Sequence, residues 1–373
     1  MNTTLERPAP QATAVGGSTS RLPSRFDVLQ LLLRGSAFIA LIFLIIVFAL
    51  QTDTYLSSSN LITMTKHVAI NAILALGMLL VILKGGIDLS VGSIVGLSGV
   101  VAAQLLKGVE VGMFDVILFP PVWVIVIVSL LVGTFVGVVN GLLVTRFSVA
   151  PFIATLGTLY MARGAALLIT DGETESILRG EPELGNTGFP KIGGGRILEL
   201  PMGIWIMVVF AIVIAVVLRK TPFGRWLYAA GGNENAAKLA GVPVRRVTRY
   251  VYMVSGFCAA TAGLIMASEL DSAPPSLGES FELNAIAAVV IGGASLSGGR
   301  GTVQGVLIGA LVIGFLSDGL VLVGVSSFWQ LVIKGAVIVL AVMIDQAQER
   351  MKRAQAAAMA VRAAGIASAP APT

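Results

Sequence analysis

Ten apolar runs, most of them near the length of a bilayer crossing, occupy 31–50, 64–83, 89–106, 121–144, 150–170, 201–218, 250–268, 283–296, 302–323 and 327–344. A hydrocarbon core roughly 30 Å thick takes about 20 helical residues to cross, with slack for tilt and for side chains that reach the interface. Only 12% of the 373 residues are charged. Soluble domains carry about 25%, so this chain has too few charges to cover a water-facing surface. The expected fold is an all-α integral membrane protein of about ten transmembrane helices. Pro121, Pro151 and Pro201 open runs, where a missing N–H costs nothing. Run interiors lack proline, and their breaks are made by glycine. The 283–296 run is short, and its glycines suit either a full crossing, half a helix or a re-entrant segment.

Two of the breaks are near copies. Gly85-Gly86-Ile87-Asp88-Leu89-Ser90-Val91-Gly92 and Gly292-Gly293-Ala294-Ser295-Leu296-Ser297-Gly298-Gly299 agree at five positions with an offset of 207. Asn71-Ala72-Ile73 and Asn284-Ala285-Ile286 precede them at different distances. Matched glycine-interrupted segments in two halves of a membrane chain point to an internal repeat and to a transport pathway. Asn71, Asp88, Ser90, Asn284 and Ser297 are therefore candidate polar residues along that pathway. Helix packing is the commoner use of glycine within spans, so the glycines themselves are read as packing residues.

Basic residues in short loops set the orientation. Between Arg219 and Arg249 lie seven bases and one acid, Glu234, which places that loop in the cytoplasm. The 171–199 loop carries six acids and three bases and should face outward. Arg7, Arg21 and Arg25 before the first run, and Arg350, Lys352 and Arg353 after the last, put both termini inside, consistent with ten spans. The chain then divides into a disordered cytoplasmic tail at 1–30, a polytopic permease region at 31–346 containing the cytoplasmic loop 219–249, and an Ala-rich cytoplasmic tail at 347–373. The first apolar run lacks a convincing small-residue cleavage site and is expected to remain as a span.

No catalytic or metal-binding constellation is legible, and no cofactor is implied. The single cysteine, Cys258, cannot form an intrachain disulfide, and the single histidine, His67, suits a packed or interfacial role better than a ligand. Gly193-Gly194-Gly195 and Gly298-Gly299-Arg300-Gly301 lack the lysine and hydroxyl of a phosphate-binding loop, so any energy from ATP must be captured on another chain. Asp88, Arg163, Asp318 and Lys334 are charges at membrane depth, where such residues are usually functional. They are too scattered for an evident proton relay. Arg163 and Lys334 suit structural salt bridges or snorkelling side chains, with Arg163 a candidate to pair with a carboxylate from another span.

The loop 231–243 carries helix signals. Asn233 is a good N-cap, Glu234 suits the positive end of the helix dipole, and Glu234 and Lys238 form a favourable i,i+4 pair. Gly241 can close the helix in the left-handed conformation, and Pro243 prevents its continuation. A helix of about two turns is too short to stand alone. From these residues alone it either presses into a groove on a partner or lies on lipid headgroups beside the flanking arginines.

The wording of four segments resembles permease subunits of monosaccharide ABC importers, the ribose/xylose/galactose-type family. They are Lys84–Ser93, Ala154-Thr155-Leu156-Gly157-Thr158 with Arg163-Gly164, Gly231-Gly232-Asn233-Glu234 with Ala240-Gly241, and Ile291–Gly299. They occur in the family's order and span nearly the whole chain outside the tails. Branched-chain amino acid permeases share the general layout, but Gly85–Gly92 is nearer the sugar group. The resemblance implies a homodimer in the inner (plasma) membrane and a cytoplasmic ATP-binding subunit with two nucleotide-binding modules. It also implies an extracytoplasmic sugar-binding protein, and no nucleic acid. It maps the ATPase-coupling segment onto Asn233, Glu234, Lys238, Leu239, Gly241 and Val242, which favours docking over the lipid surface. It makes the 171–199 and 269–282 loops candidate surfaces for the binding protein. The expected function is the translocation subunit for a monosaccharide or related polyol, itself not an enzyme. An ion-coupled secondary transporter using Asp88 or Asp318 is the alternative, and a passive channel a third.

Overall fold

The structure, a computed structural model, describes residues 36–111 and 116–367. From Ala37 onward the chain is one compact unit. Its main helices are α1 (Ser36–Gln51), α2 (Ser58–Lys84), α3 (Val91–Lys107), α4 (Val122–Thr145), α5 (Pro151–Thr170), α6 (Met202–Lys220), α7 (Pro222–Gly232), α8 (Glu234–Leu239), α9 (Val244–Leu270), α10 (Phe281–Ile291), α11 (Val303–Leu322) and α12 (Ser327–Ala367). Strand structure among the described residues is confined to short antiparallel pairs, Val109–Val111 with Val116–Leu118, Glu175–Ser176 with Ser272–Ala273, and Arg196–Ile197 with Leu200–Pro201.

Each of the ten apolar runs contains a helix, the first described from Ser36 onward. Seven are long and apolar enough to cross a membrane: α2, α4, α5, α6, α9, α11 and Ser327–Ala347 of α12. α1, α3 and α10 are shorter apolar helices. α10 has 11 residues, about 16 Å at 1.5 Å per residue, or half a hydrocarbon core.

Four features were not expected from sequence. α2 starts at Ser58 because the Ser57 hydroxyl accepts the Asn60 N–H and caps a turn that reads as loop. α9 begins at Val244, so Arg245, Arg246 and Arg249 belong to a helix rather than a linker. α7 starts on the Thr221 cap and Pro222 at N1. α12 continues past residue 347 to Ala367, extending helix into the segment expected as a tail. The 1–30 tail and residues 368–373 lie outside the described residues.

α2 and α9 form the centre, with 89% and 78% of their most apolar windows buried, while the Ser327–Ala347 stretch of α12 has none. Glycine lets main chains meet around this centre. Gly133, Gly137 and Gly141, successive turns of α4, face Gly256, the Tyr252 carbonyl and Arg249 on α9. Gly263 of α9 meets the Val95 carbonyl of α3, and Gly309 of α11 meets the Ala288 carbonyl of α10. This is small-residue packing of the kind membrane helices use in place of a hydrophobic drive.

A side chain at Gly256 would overlap the Gly133 carbonyl, whereas Gly157 on α5 has open space around it. Gly256→Leu is expected to destabilise the detergent-solubilised protein by about 3 kcal/mol. Gly157→Leu should stay within ~0.5 kcal/mol. Thermal melting followed by size-exclusion chromatography reads both. Equal midpoints would refute the packing assignment.

Candidate functional site

The short helix α8 has the caps its sequence calls for. The Asn233 side chain accepts the Ala236 N–H at 3.0 Å. At the other end Gly241 has φ +80°, and the Gly241 and Val242 amides donate to the Lys238 and Ala237 carbonyls at 3.1 and 3.0 Å. That pair of bonds is a Schellman closure, available to glycine without strain. Glu234 meets Lys238 at 2.6 Å along the helix and Lys84, the last residue of α2, at 2.8 Å. The bond to Lys238, and then that to Lys84, pulls the Glu234 carboxyl down to about 2. Ala237 packs with Ala230, Val242 and Val244, anchoring one face. Leu239 is 91% exposed, so the other face presents an apolar side chain with no partner in its own protomer. Beside it a cleft of about 560 Å³ is lined by Lys238, Arg245, Arg246 and Arg249 among others.

Lys84 also borders the first glycine break, and the two breaks meet beneath α8. Gly85, at φ +87°, ends α2, its N–H donating to the Ile82 carbonyl and that of Gly86 to the Val81 carbonyl. Gly293, at φ +82°, ends α10 the same way, with Gly293 and Ala294 donating to Val290 and Val289. The structural repeat therefore pairs Gly85 with Gly293, one residue away from the alignment suggested by sequence identity. The Gly299 N–H donates to the Leu83 carbonyl at 2.9 Å, joining the breaks directly. Gly231, just ahead of α8, lies so close to the Leu83 carbonyl that any Cβ would overlap it. A Cβ on Gly298 would stand 2.8 Å from the Gly231 carbonyl, and one on Gly299 2.8 Å from the Gly232 Cα. Two glycine pairs and the Gly231–Leu83 contact thus stack main chain on main chain, and the Tyr228 hydroxyl donates to the Gly301 carbonyl at 2.8 Å.

The first break turns back into the protein around Asp88, whose side chain is fully buried. Asp88 accepts the Ser90 N–H at 3.0 Å, the Ser90 hydroxyl at 2.6 Å and the Ser255 hydroxyl at 2.8 Å. Asn140 of α4 donates to the Ser90 hydroxyl at 2.9 Å, and Thr158 of α5 donates to the Asn140 carbonyl oxygen at 2.6 Å. Thr155 donates to the Ile87 carbonyl at 3.1 Å. A buried carboxyl with three donors can tie α3, α4, α5 and α9 together where the backbone is irregular. Ser255 and Asn140 escaped sequence reading, although each is a polar residue within an apolar run.

Of the pathway candidates, only Asp88 and Ser90 share a hydrogen bond. Asn71 is buried in α2, its amide donating to the His67 carbonyl at 3.1 Å and its oxygen unpartnered. Asn284 is buried in α10, and Ser297 is exposed on the second break. His67 meets Asp318 at 2.8 Å. Arg163 bonds main-chain carbonyls rather than a carboxylate. At the end opposite α8, the 171–199 loop and the first residues of the 269–282 loop are joined by pairing of Glu175–Ser176 with Ser272–Ala273 and by Arg179 to Asp271 at 2.8 Å.

A model of the family described as branched-chain amino acid transport system / permease component matches residues 60–342. The ribose import permease protein RbsC of Bacillus subtilis (strain 168) is 46% identical over 310 residues, covering 83% of this chain and 91% of that protein. The ribose import permease protein RbsC of Haemophilus influenzae is 42% identical over 322 residues, 86% and 96% of the two chains. The galactose/methyl galactoside import permease protein MglC of Escherichia coli (strain K12) is 36% identical over 330 residues, 87% and 97%. No solved structure matches the chain.

Ser255→Ala removes one of three donors to the buried Asp88 carboxylate and is expected to cost ~1.5–3 kcal/mol. Thr158→Val, two bonds away from the charge, should cost ~1 kcal/mol; thermal unfolding of both would invert this order if Asp88 were uncharged and solvated. A separate expectation concerns pH. A depressed carboxyl stabilises above its ordinary value of 4.5 and loses that contribution as pH falls towards about 2. Protection of α8 amides, corrected for intrinsic exchange, should therefore hold from pH 7 to 5 and fall below 4.5. Lys84→Met should move the loss to higher pH, and an unmoved profile would discount that ion pair.

Proposed function

The chain belongs to the branched-chain amino acid transport system permease component family, and from that membership we propose that it is the translocating subunit of an ABC importer for a monosaccharide or related polyol. The names of its ribose and galactose relatives support that solute class. In this reading two copies form the passage in the inner membrane. ATP is hydrolysed by a separate cytoplasmic subunit with two nucleotide-binding modules, and an exported sugar-binding protein delivers the solute. The polytopic region is 31–346, with 219–249 as its cytoplasmic coupling loop and both termini inside. The basic residues crowded around α8 support that orientation.

The observation that carries the reading is the mounting of α8. Its exposed Leu239 and flanking Lys238, Gly241 and Val242 form the surface offered to the ATPase. Asn233 caps the helix and Glu234 fastens it to Lys84 at the first break. Closure of the nucleotide modules would move α8, and the Lys84–Glu234 pair and the stacked glycines would pass that movement to both breaks. Rocking about the breaks gives alternating access. Asn71, Asp88, Ser90, Asn284 and Ser297 sit along the elements that would move. Asp88 and Ser90 act there by holding the first break in shape, and become lining only in a conformation that opens their network. Such a passage has no need to bind sugar tightly, because selection occurs on the binding protein.

Leu239→Asp and Gly241→Arg alter the docking face outside the protomer's core, the second also straining the left-handed closure of α8 at φ +80°. Reconstituted with the ATPase and the binding protein, each is expected to lose at least ~10-fold in ribose uptake while ATP hydrolysis continues; the melting temperature should be unchanged for Leu239→Asp and lowered for Gly241→Arg. Normal uptake by both would count against the coupling assignment. Accumulation by vesicles holding this chain alone under a proton or sodium gradient would overturn the ABC reading.

A further inference from the structure

Three charged side chains serve neither the Asp88 network nor α8, and they gather at membrane depth. Arg163 stands on α5 twelve residues from Pro151 and seven from Thr170, about 18 and 10 Å from the helix ends. Its guanidinium donates to the carbonyls of Pro275, Leu277 (3.1 Å) and Gly92 (3.5 Å). These carbonyls face α3, where the 275–278 segment descends over Gly99, Gly96 and Gly92. The Glu282 carboxylate lies against Gly92, and both Glu279 and Glu282 act electrostatically on Arg163. Gly92 is fifteen residues from Lys107, the end of α3 that pairs with Glu175, which puts this cluster about 22 Å along the helix from that end.

The cluster is not sealed inside the protomer. Glu279 and Ser276 are exposed, and Arg163 and Glu282 are half-exposed. Tyr160, one turn before Arg163 on α5, is 70% exposed. Arg163 has main-chain carbonyls to satisfy it, but neither carboxylate makes an ion pair among the described residues. Hydrocarbon cannot solvate an ionised carboxylate, and charges at this depth face a protein interior or a water-filled passage. The interior of the protomer is excluded by their exposure.

We infer that Arg163, Glu279 and Glu282 form a stretch of the wall of the aqueous route, on the side of the breaks away from α8. The inference rests on the transport reading above for its solute. Guanidinium donors beside carboxylate acceptors suit the hydroxyls of a neutral polyol, which both donate and accept. Two carboxylates against one guanidinium leave the wall net negative, so it disfavours anions and admits neutral or cationic probes.

The test uses the complete transporter in membranes and single cysteines at Ser276, Glu279 and, as a lipid-facing control, Ile212 of α6. Native Cys258 is fully buried and should stay silent in the unmodified chain. Ser276→Cys and Glu279→Cys are expected to react with membrane-impermeant methanethiosulfonates, and Ile212→Cys not to. In Ser276→Cys the cationic reagent should react about tenfold faster than the anionic one, and adding Glu282→Gln should shrink that ratio. Labelling only by a lipid-soluble maleimide would overturn the inference, as would disulfide cross-linking of two copies without any aqueous labelling. Ser276→Cys leaves all three charges in place, so a folding failure of Glu279→Cys does not decide the matter. Thiol accessibility is read without ribose, so failed transport and a dry wall are distinguishable results.

Discussion

The hydrogen bond from the Gly299 amide to the Leu83 carbonyl is the point on which the rest of the architecture depends. A helix that ends within a membrane protein leaves carbonyls that water cannot reach, and each must find a donor. Here two helices, α2 and α10, end close together, and each end is closed by a glycine in the left-handed conformation. One remaining carbonyl of α2, that of Leu83, takes the Gly299 amide of the second break. That bond requires the two main chains to touch, which is why Gly231, Gly298 and Gly299 cannot carry side chains. The same crowding brings the entry to α8 into the contact. The position of the short helix is thus a consequence of how two broken spans end.

The Asp88 network supplies what the glycines lack. Glycine permits close approach but holds nothing in place, and it weakens a helix by about 1 kcal/mol relative to alanine. A buried carboxylate with three donors does the opposite, since every change in its surroundings leaves a charge or a donor unpaired. Ser90, Ser255, Asn140 and Thr158 therefore fix the first break from three other helices, while at Gly299 it meets the second break main chain on main chain. Helix α8 is entered from that same contact, through Gly231 and Gly232.

Most of the fold was legible because its signals are local. Apolar length marked all ten runs, and the N-cap, the i,i+4 pair and the closing glycine of α8 marked the helix from Asn233 to Gly241. The wording of the breaks also carried the family resemblance, and of the threonines in Ala154-Thr155-Leu156-Gly157-Thr158, Thr155 proves to donate to the first break while Thr158 reaches it only through Asn140. What sequence could not supply was partnership across the chain. Lys84 and Glu234 are 150 residues apart, and Ser255 lies 167 residues from Asp88; neither separation has a periodic signature. Identity at an offset of 207 likewise misplaced the repeat by one residue, because the αL position at Gly293 decides the equivalence and two adjacent glycines look alike. The partners of Asp88 were hidden for the same reason, since the Ser255 hydroxyl that reaches it comes from a helix far along the chain.

Arg163 shows how differently two charges at similar depth can be treated. Asp88 is closed off and satisfied on every side by donors of its own protomer. Arg163 is satisfied only on its inward side, by carbonyls of a descending loop, and the carboxylates beside it are left to the exterior. Neither carboxylate forms an ion pair among the described residues, and hydrocarbon cannot solvate one that is ionised. Their presence makes physical sense where what lies outside that face is polar. In a translocating dimer the face would border the route between copies, where weak, exchangeable hydrogen bonds let a hydroxylated solute pass without being held. The closed network at Asp88 and the open cluster at Arg163 would then divide two tasks: the first keeps the moving backbone in register, and the second gives the solute somewhere wet to go.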